Sequence, residues 1–107
     1  MFKSQFNAWI HVTATILVCA AGFYLRITGA EWCAIVLAIM SVWVAEALNT
    51  AIEFLGDAVS TDYHPLIGKA KDVAAGAVLI AAIGAVVIGL LVFGPHLLKI
   101  FPMFGKS

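Results

Sequence analysis

Charge is what this sequence has least of: its 107 residues carry 6 Lys or Arg against 6 Asp or Glu, for a formal net charge of zero. A nucleic-acid surface needs a basic stripe and a membrane-surface anchor needs a polybasic run, and neither can be assembled from this balance. Cysteine is equally sparse. Cys19 and Cys33 lie in apolar sequence without His or Cys at metal-ligand spacing, which excludes a thiolate metal cage and leaves inert, buried thiols as the expectation. A Gly-rich Walker loop and a protein-kinase catalytic loop are also missing, so any phosphate chemistry must be built from other parts.

What is abundant is apolar surface. A composition 64% hydrophobic and 11% charged reads as one all-α membrane domain over residues 1–107. Spans are expected at about 8–25, 32–55 and 73–98. Between the first two lies a tight polar turn, Arg26 to Glu31, flanked by Tyr24 and Trp32 at the depth where aromatic belts collect. The segment 56–72 is the only substantial water-facing stretch. Pro65 disfavours helix at His64, so Ser60 to Leu66 is expected as loop and Lys69 to Asp72 as the opening of the third helix. Ala77, Ala81, Ala85 and Gly89 recur every four residues, a ridge that suits close helix contact within one bundle or at a seam between copies. Positive charges do not set the orientation, because Lys3, Lys69 and Lys71 are balanced by Arg26, Lys99 and Lys106.

The second span breaks its own rule. Glu46, Asn49, Glu53 and Asp57 follow one another at steps of 3, 4 and 4, which places them in a helical sector of roughly 80°. A carboxylate near the membrane centre costs at least ~2.5 kcal/mol, so such a stripe faces protein or a water-filled cavity. Beside it, the loop residues Lys69, Lys71 and Asp72 suit a hard cation and phosphate groups. Desolvation makes a deep Glu46 a better base for a hydroxyl proton, while Glu53 lies nearer the water. The blander alternatives are interhelical glue for the carboxylates, a solvated Lys69, interface positions for His11 and His96, and an ion or proton relay along the stripe.

Several runs together resemble one family. They are Glu46-x-x-Asn49-Thr50-Ala51-Ile52-Glu53, then Asp57, Tyr63-His64-Pro65-Leu66, and Lys71-Asp72-x-x-Ala75-Gly76-Ala77-Val78-Leu79. In order and spacing they resemble the small, trimeric, three-helix prokaryotic diacylglycerol kinase and undecaprenol kinase family. The resemblance implies a homotrimer with composite sites in a bacterial inner membrane, and transfer of the γ-phosphate of MgATP to a lipid hydroxyl on the cytoplasmic side. It implies Glu46 as catalytic base and Glu53 as a Mg²⁺ ligand. Nucleotide contacts are implied at Asn49, Glu53, Asp57, Asp62, Tyr63, His64, Lys71 and Asp72, and lipid contacts at Asn7, His11 and Ala75.

Two features depart from the family pattern. Family members carry a second metal-binding Glu in a run like Ser-Glu-x-Asn-x-x-Ile-His, and here the run is Ser4-Gln5-Phe6-Asn7-Ala8-Trp9-Ile10-His11. Gln5 offers an oxygen without a charge and should weaken Mg²⁺ binding. The family also has an amphipathic, basic segment upstream, whose arginine contacts have no counterpart within residues 1–107. An alternative expectation follows from both departures: a homologue that binds nucleotide or lipid without efficient turnover.

Overall fold

A computed structural model describes residues 2–59 and 64–100, with side chains from residue 8 onward. Within these bounds the chain forms three helices: α1, Phe2–Leu25; α2, Gly29–Val59; and α3, Pro65–Ile100. Each is long and apolar enough to cross a membrane. The bundle measures 59 × 24 × 23 Å, whereas a bilayer's hydrocarbon core is about 30 Å thick. The 36-residue α3 alone is about 54 Å long at helical rise, so its ends leave the hydrocarbon.

The connection between α1 and α2 is set by local chemistry. Arg26 takes a left-handed backbone conformation, φ 53°, and the N–H groups of Arg26 and Ile27 donate to the carbonyls of Phe23 and Gly22 at 3.4 and 3.2 Å. That pair of bonds is the Schellman arrangement that closes a helix. Two residues later Thr28 opens α2. Its hydroxyl accepts from the Glu31 N–H at 3.1 Å, and the Glu31 carboxylate accepts from the Thr28 N–H at 2.9 Å. This reciprocal capping box turns the chain back on itself within three residues.

Around this turn lies the tightest packing. Ile27, Ile35 and Val92 are buried and gather Val18, Trp32 and Phe93 around them. A Cβ on Gly22 would stand 2.7 Å from Trp32 Cη2, so only glycine lets the indole lie there. Farther along, α2 and α3 pack together over their length, whereas α1 leans on α2 and scarcely touches α3.

Three details differ from the sequence expectations. Helix α3 begins at Pro65, a turn before Lys69. His64 caps it: its carbonyl accepts from Gly68 N–H at 2.9 Å, and its Nδ1 accepts from Leu66 N–H at 3.2 Å. Proline at the first helical position costs no hydrogen bond, which moves the start forward. The thiols are not buried, since Cys19 is half-buried and Cys33 exposed; in a bundle whose exterior meets lipid, an apolar setting in sequence does not imply the interior. Along the Ala/Gly ridge, a Cβ added to Gly89 would meet nothing within 4 Å, so within one chain this part of the ridge leaves space where close contact was one expectation.

Candidate active site

Helix α2 carries Glu46, Asn49, Glu53 and Asp57 in consecutive turns, and the structure treats each differently. Glu46 is sheltered, its side chain 16% exposed, with Oε2 lying 3.5 Å from Nε2 of His11 on α1. Asn49 lies one turn on. Its Oδ1 is buried and has no hydrogen-bond partner among the described residues, and an unpaired buried amide oxygen costs roughly 1–3 kcal/mol. Glu53 is half-buried. Asp57 stands in the open, 69% exposed, and accepts from Lys71 Nζ on α3 at 2.8 Å. The gradient from sheltered Glu46 to exposed Asp57 runs over 11 residues, about 16 Å along the helix.

His11 is itself held in place. Its ring lies against Trp43 with centroids 5.6 Å apart and planes at 53°. Thr15 ties the two helices, donating to the His11 carbonyl at 2.7 Å and accepting from Trp43 Nε1 at 3.0 Å. Trp43 and Thr15 were missed by sequence reasoning. Their signal was present, because Trp43 precedes Glu46 by three residues and Thr15 follows His11 by four, spacings that put each on its neighbour's face.

The end formed by α2 and α3 is closed by the Asp57–Lys71 pair. The stem of Lys71 crosses Gly56, where a Cβ would stand 3.1 Å from Lys71 Cε and 2.8 Å from Ile67 Cγ2. Asp72 and Ala75 are exposed on α3, and His64 is exposed at its cap with Nδ1 engaged there. Four expected contributors lie outside what the structure describes: Asp62 and Tyr63, and the side chains of Gln5 and Asn7.

Metal binding can be tested against this donor set. Among the described residues no three His, Cys, Asp or Glu side chains converge, so a full protein cage is not built there. Mg²⁺ is commonly held by one or two carboxylates together with substrate phosphates and water. Glu53 and the unpartnered Asn49 oxygen fit that sparse pattern.

His96 proves to have a specific partner. Its Nε2 lies 3.0 and 3.2 Å from the two oxygens of Glu31, joining α3 to the cap of α2. This pair is remote in sequence and belongs to the opposite end of the bundle from Asp57.

The chain as a whole has recognisable relatives. The model of the prokaryotic diacylglycerol kinase family matches residues 1–93. The undecaprenol kinase of Bacillus subtilis is 40% identical over 95 residues, covering 89% of this chain and 77% of that protein. A diacylglycerol kinase of Synechocystis is 39% identical over 100 residues, 92% of this chain and 57% of that one. The diacylglycerol kinase of Escherichia coli K12 is 32% identical over 102 residues, with 89% and 84% covered. With three helices fit to cross a membrane and matches of this extent, the chain belongs to the prokaryotic diacylglycerol kinase family and is a membrane lipid kinase.

Proposed function

We propose that this protein transfers the γ-phosphate of MgATP to the hydroxyl of a membrane lipid, undecaprenol or a diacylglycerol, at the cytoplasmic face of a bacterial inner membrane. The observation that carries this reading is Glu46, a sheltered carboxylate whose one ion-pair neighbour among the described residues is His11 at 3.5 Å. At that separation the carboxylate is oriented and still able to accept a hydrogen bond from another group.

In the reaction, Glu46 takes the proton of the lipid hydroxyl as its oxygen bonds to the γ-phosphorus; the bond to the bridging oxygen breaks and ADP leaves. Positioning and charge neutralisation supply most of the catalysis in such transfers. Trp43 and Thr15 fix His11, and His11 fixes the carboxylate. Glu53 and Asn49 would hold the cation, which neutralises phosphate charge when bound. Lys71, released from Asp57, would reach the nucleotide's phosphates as a point charge.

A homotrimer is part of the proposal. The half-buried Glu53 is a group that a neighbouring copy would complete.

Mg²⁺-dependent transfer from labelled ATP to undecaprenol and to diacylglycerol in mixed micelles tests the reading. Product on either lipid, lost in Glu46→Gln, is expected. Absence of product from a folded oligomer would favour the reading that Gln5 suggests, a homologue that binds without efficient turnover. Gln5→Glu would then restore transfer by returning the missing charge.

A further inference from the structure

Two polar contacts cross from α1 to α2 one helical turn apart, and they differ in strength. His11 Nε2 and Glu46 Oε2 stand 3.5 Å apart, at the outer limit of a hydrogen bond. The other contact is short. Trp43 Nε1–H donates to Thr15 Oγ1 at 3.0 Å, and the Thr15 hydroxyl donates in turn to the His11 carbonyl at 2.7 Å. Because Thr15 follows His11 by four residues and Trp43 precedes Glu46 by three, the four side chains close a rectangle between the helices. The tilted His11 and Trp43 rings, 5.6 Å apart, span its diagonal. Among the described residues no other side-chain hydrogen bond or ion pair joins α1 to α2.

Helix α1 has little else to hold it at this level. It leans on α2 and scarcely touches α3, and its other fixed point is the hydrogen-bonded turn at Arg26, 15 residues from His11. That is a long lever. At helical rise the distance is about 22 Å, so a tilt of about 3° at the turn carries His11 about 1 Å. A misplacement of that size can cost about 10²-fold in rate. We propose that Trp43 is a positioning residue for phosphoryl transfer: its hydrogen bond to Thr15 sets the height and rotation of α1 on α2 and so keeps His11 against the Glu46 carboxylate. The proposal rests on the kinase reading for what Glu46 does, and goes beyond it by making one hydrogen bond outside the His11–Glu46 pair control the rate. Ring bulk alone does not set such a register, because apolar packing is non-directional. A donor and acceptor at 3.0 Å fix one height along the helix, and in an apolar setting their bond is stronger than in water.

Kinetics with conservative variants separate this role from general support. Trp43→Phe keeps a ring beside His11 and removes the donor; Thr15→Val keeps the branched shape and removes the hydroxyl. Each should lower kcat for lipid phosphorylation about tenfold, within the ~10²-fold that a 1 Å displacement can cost. The KM for ATP should hold within about twofold, the split expected when only the transition state is affected. Combined, the two substitutions should cost no more than either alone, because both cut the same path. Thr15→Ser returns the hydroxyl and should bring kcat to within about twofold of the parent. Trp9→Phe makes the same aromatic exchange at a site on α1 that is 71% exposed, and should leave kcat unchanged. A second readout needs no turnover: the ring-nitrogen NMR signals of His11 should respond to Glu46→Gln in the parent and cease to respond once Thr15→Val is present.

Unchanged kcat in Trp43→Phe and Thr15→Val would overturn the proposal, as would a raised KM for ATP at constant kcat. Additive losses in the double variant, or a loss that Thr15→Ser does not recover, would also overturn it by reducing the pair to packing. Should Trp43→Phe fail to fold, Thr15→Val against Thr15→Ser decides. If the parent phosphorylates neither undecaprenol nor diacylglycerol, the kinase reading falls and the His11 signals decide separately. A response to Glu46→Gln that survives Thr15→Val overturns the positioning of Glu46 by this bond, and one that disappears upholds it.

Discussion

At the turn end of the bundle, Glu31 accepts from the Thr28 N–H at 2.9 Å and lies 3.0 and 3.2 Å from His96 Nε2. About 22 Å along the same helix, Glu46 has only His11, at 3.5 Å, among the described residues. Both are histidine–glutamate pairs in a chain where charge is scarce, and their side chains are comparably sheltered, 26% and 16% exposed for the carboxylates. The difference lies in how completely the oxygens are engaged. A carboxylate with both oxygens committed holds a turn together; one with spare capacity, next to an unpartnered Asn49 oxygen, can take on a substrate.

The sharpest way to break this comparison is to neutralise Glu46, the proposed catalytic carboxylate. Glu46→Gln keeps shape and removes the base, so lipid phosphorylation should fall by about 10²–10⁴-fold. Thermal unfolding in micelles should stay close to that of the parent. A comparable loss of stability and activity together would mean that Glu46 is glue like Glu31, and the distinction between the two ends would fail.

Packing at the turn end gives the converse result. Gly22→Leu drives a side chain into Trp32, whose Cη2 is already 2.7 Å from where a Cβ would stand. Overpacking of this kind costs about 1–3 kcal/mol, to be read as a lowered unfolding midpoint. The KM for ATP of the folded fraction should be unchanged, because the proposed nucleotide site lies at the other end.

How much of this was legible in the sequence follows from the range of each interaction. The helices and the stripe Glu46, Asn49, Glu53 and Asp57 were readable because hydropathy and helical period act within one element. The capping role of His64 was half-readable: Pro65 showed where helix could not extend backward, whereas its value as a first helical residue shifted the start of α3 ahead of Lys69. Pairings between elements were not readable. Glu31 meets His96 across 65 positions and Trp43 meets Thr15 across 28, and nothing in a single sequence ties such partners. Cys33 was misjudged for a related reason. In a membrane bundle an apolar residue faces a neighbour, a cleft or lipid with the same composition, so burial cannot be read from hydropathy.

Weaker perturbations refine the contrast. Thr28→Ala removes the hydroxyl that accepts from Glu31 N–H, and loss of such a cap costs about 1 kcal/mol. Unfolding of the purified protein in micelles should register that loss, and kcat should hold within about twofold, the scale of about 0.4 kcal/mol. A large drop in kcat would show that the two ends are coupled through α2.

Asp57→Asn is the mildest change and the one that asks most of the site end. The Asp57–Lys71 pair is exposed, with side chains 69% and 36% accessible, so its removal should alter stability by no more than about 0.5 kcal/mol. Its expected signature is kinetic. Lys71 loses a competitor for its charge, and Asp57 ceases to contribute any contact of its own to the nucleotide. These effects oppose one another, and the KM for ATP shows which prevails. If Asp57 chiefly restrains Lys71, Asp57→Asn lowers that KM and Lys71→Met raises it. If Asp57 is itself a nucleotide-site group, both substitutions raise it. The resemblance assigns both residues to the nucleotide, whereas their 2.8 Å contact occupies each with the other. Parallel increases would therefore mean that the pair opens when ATP binds, making this end a site that rearranges while the Glu31–His96 end stays fixed.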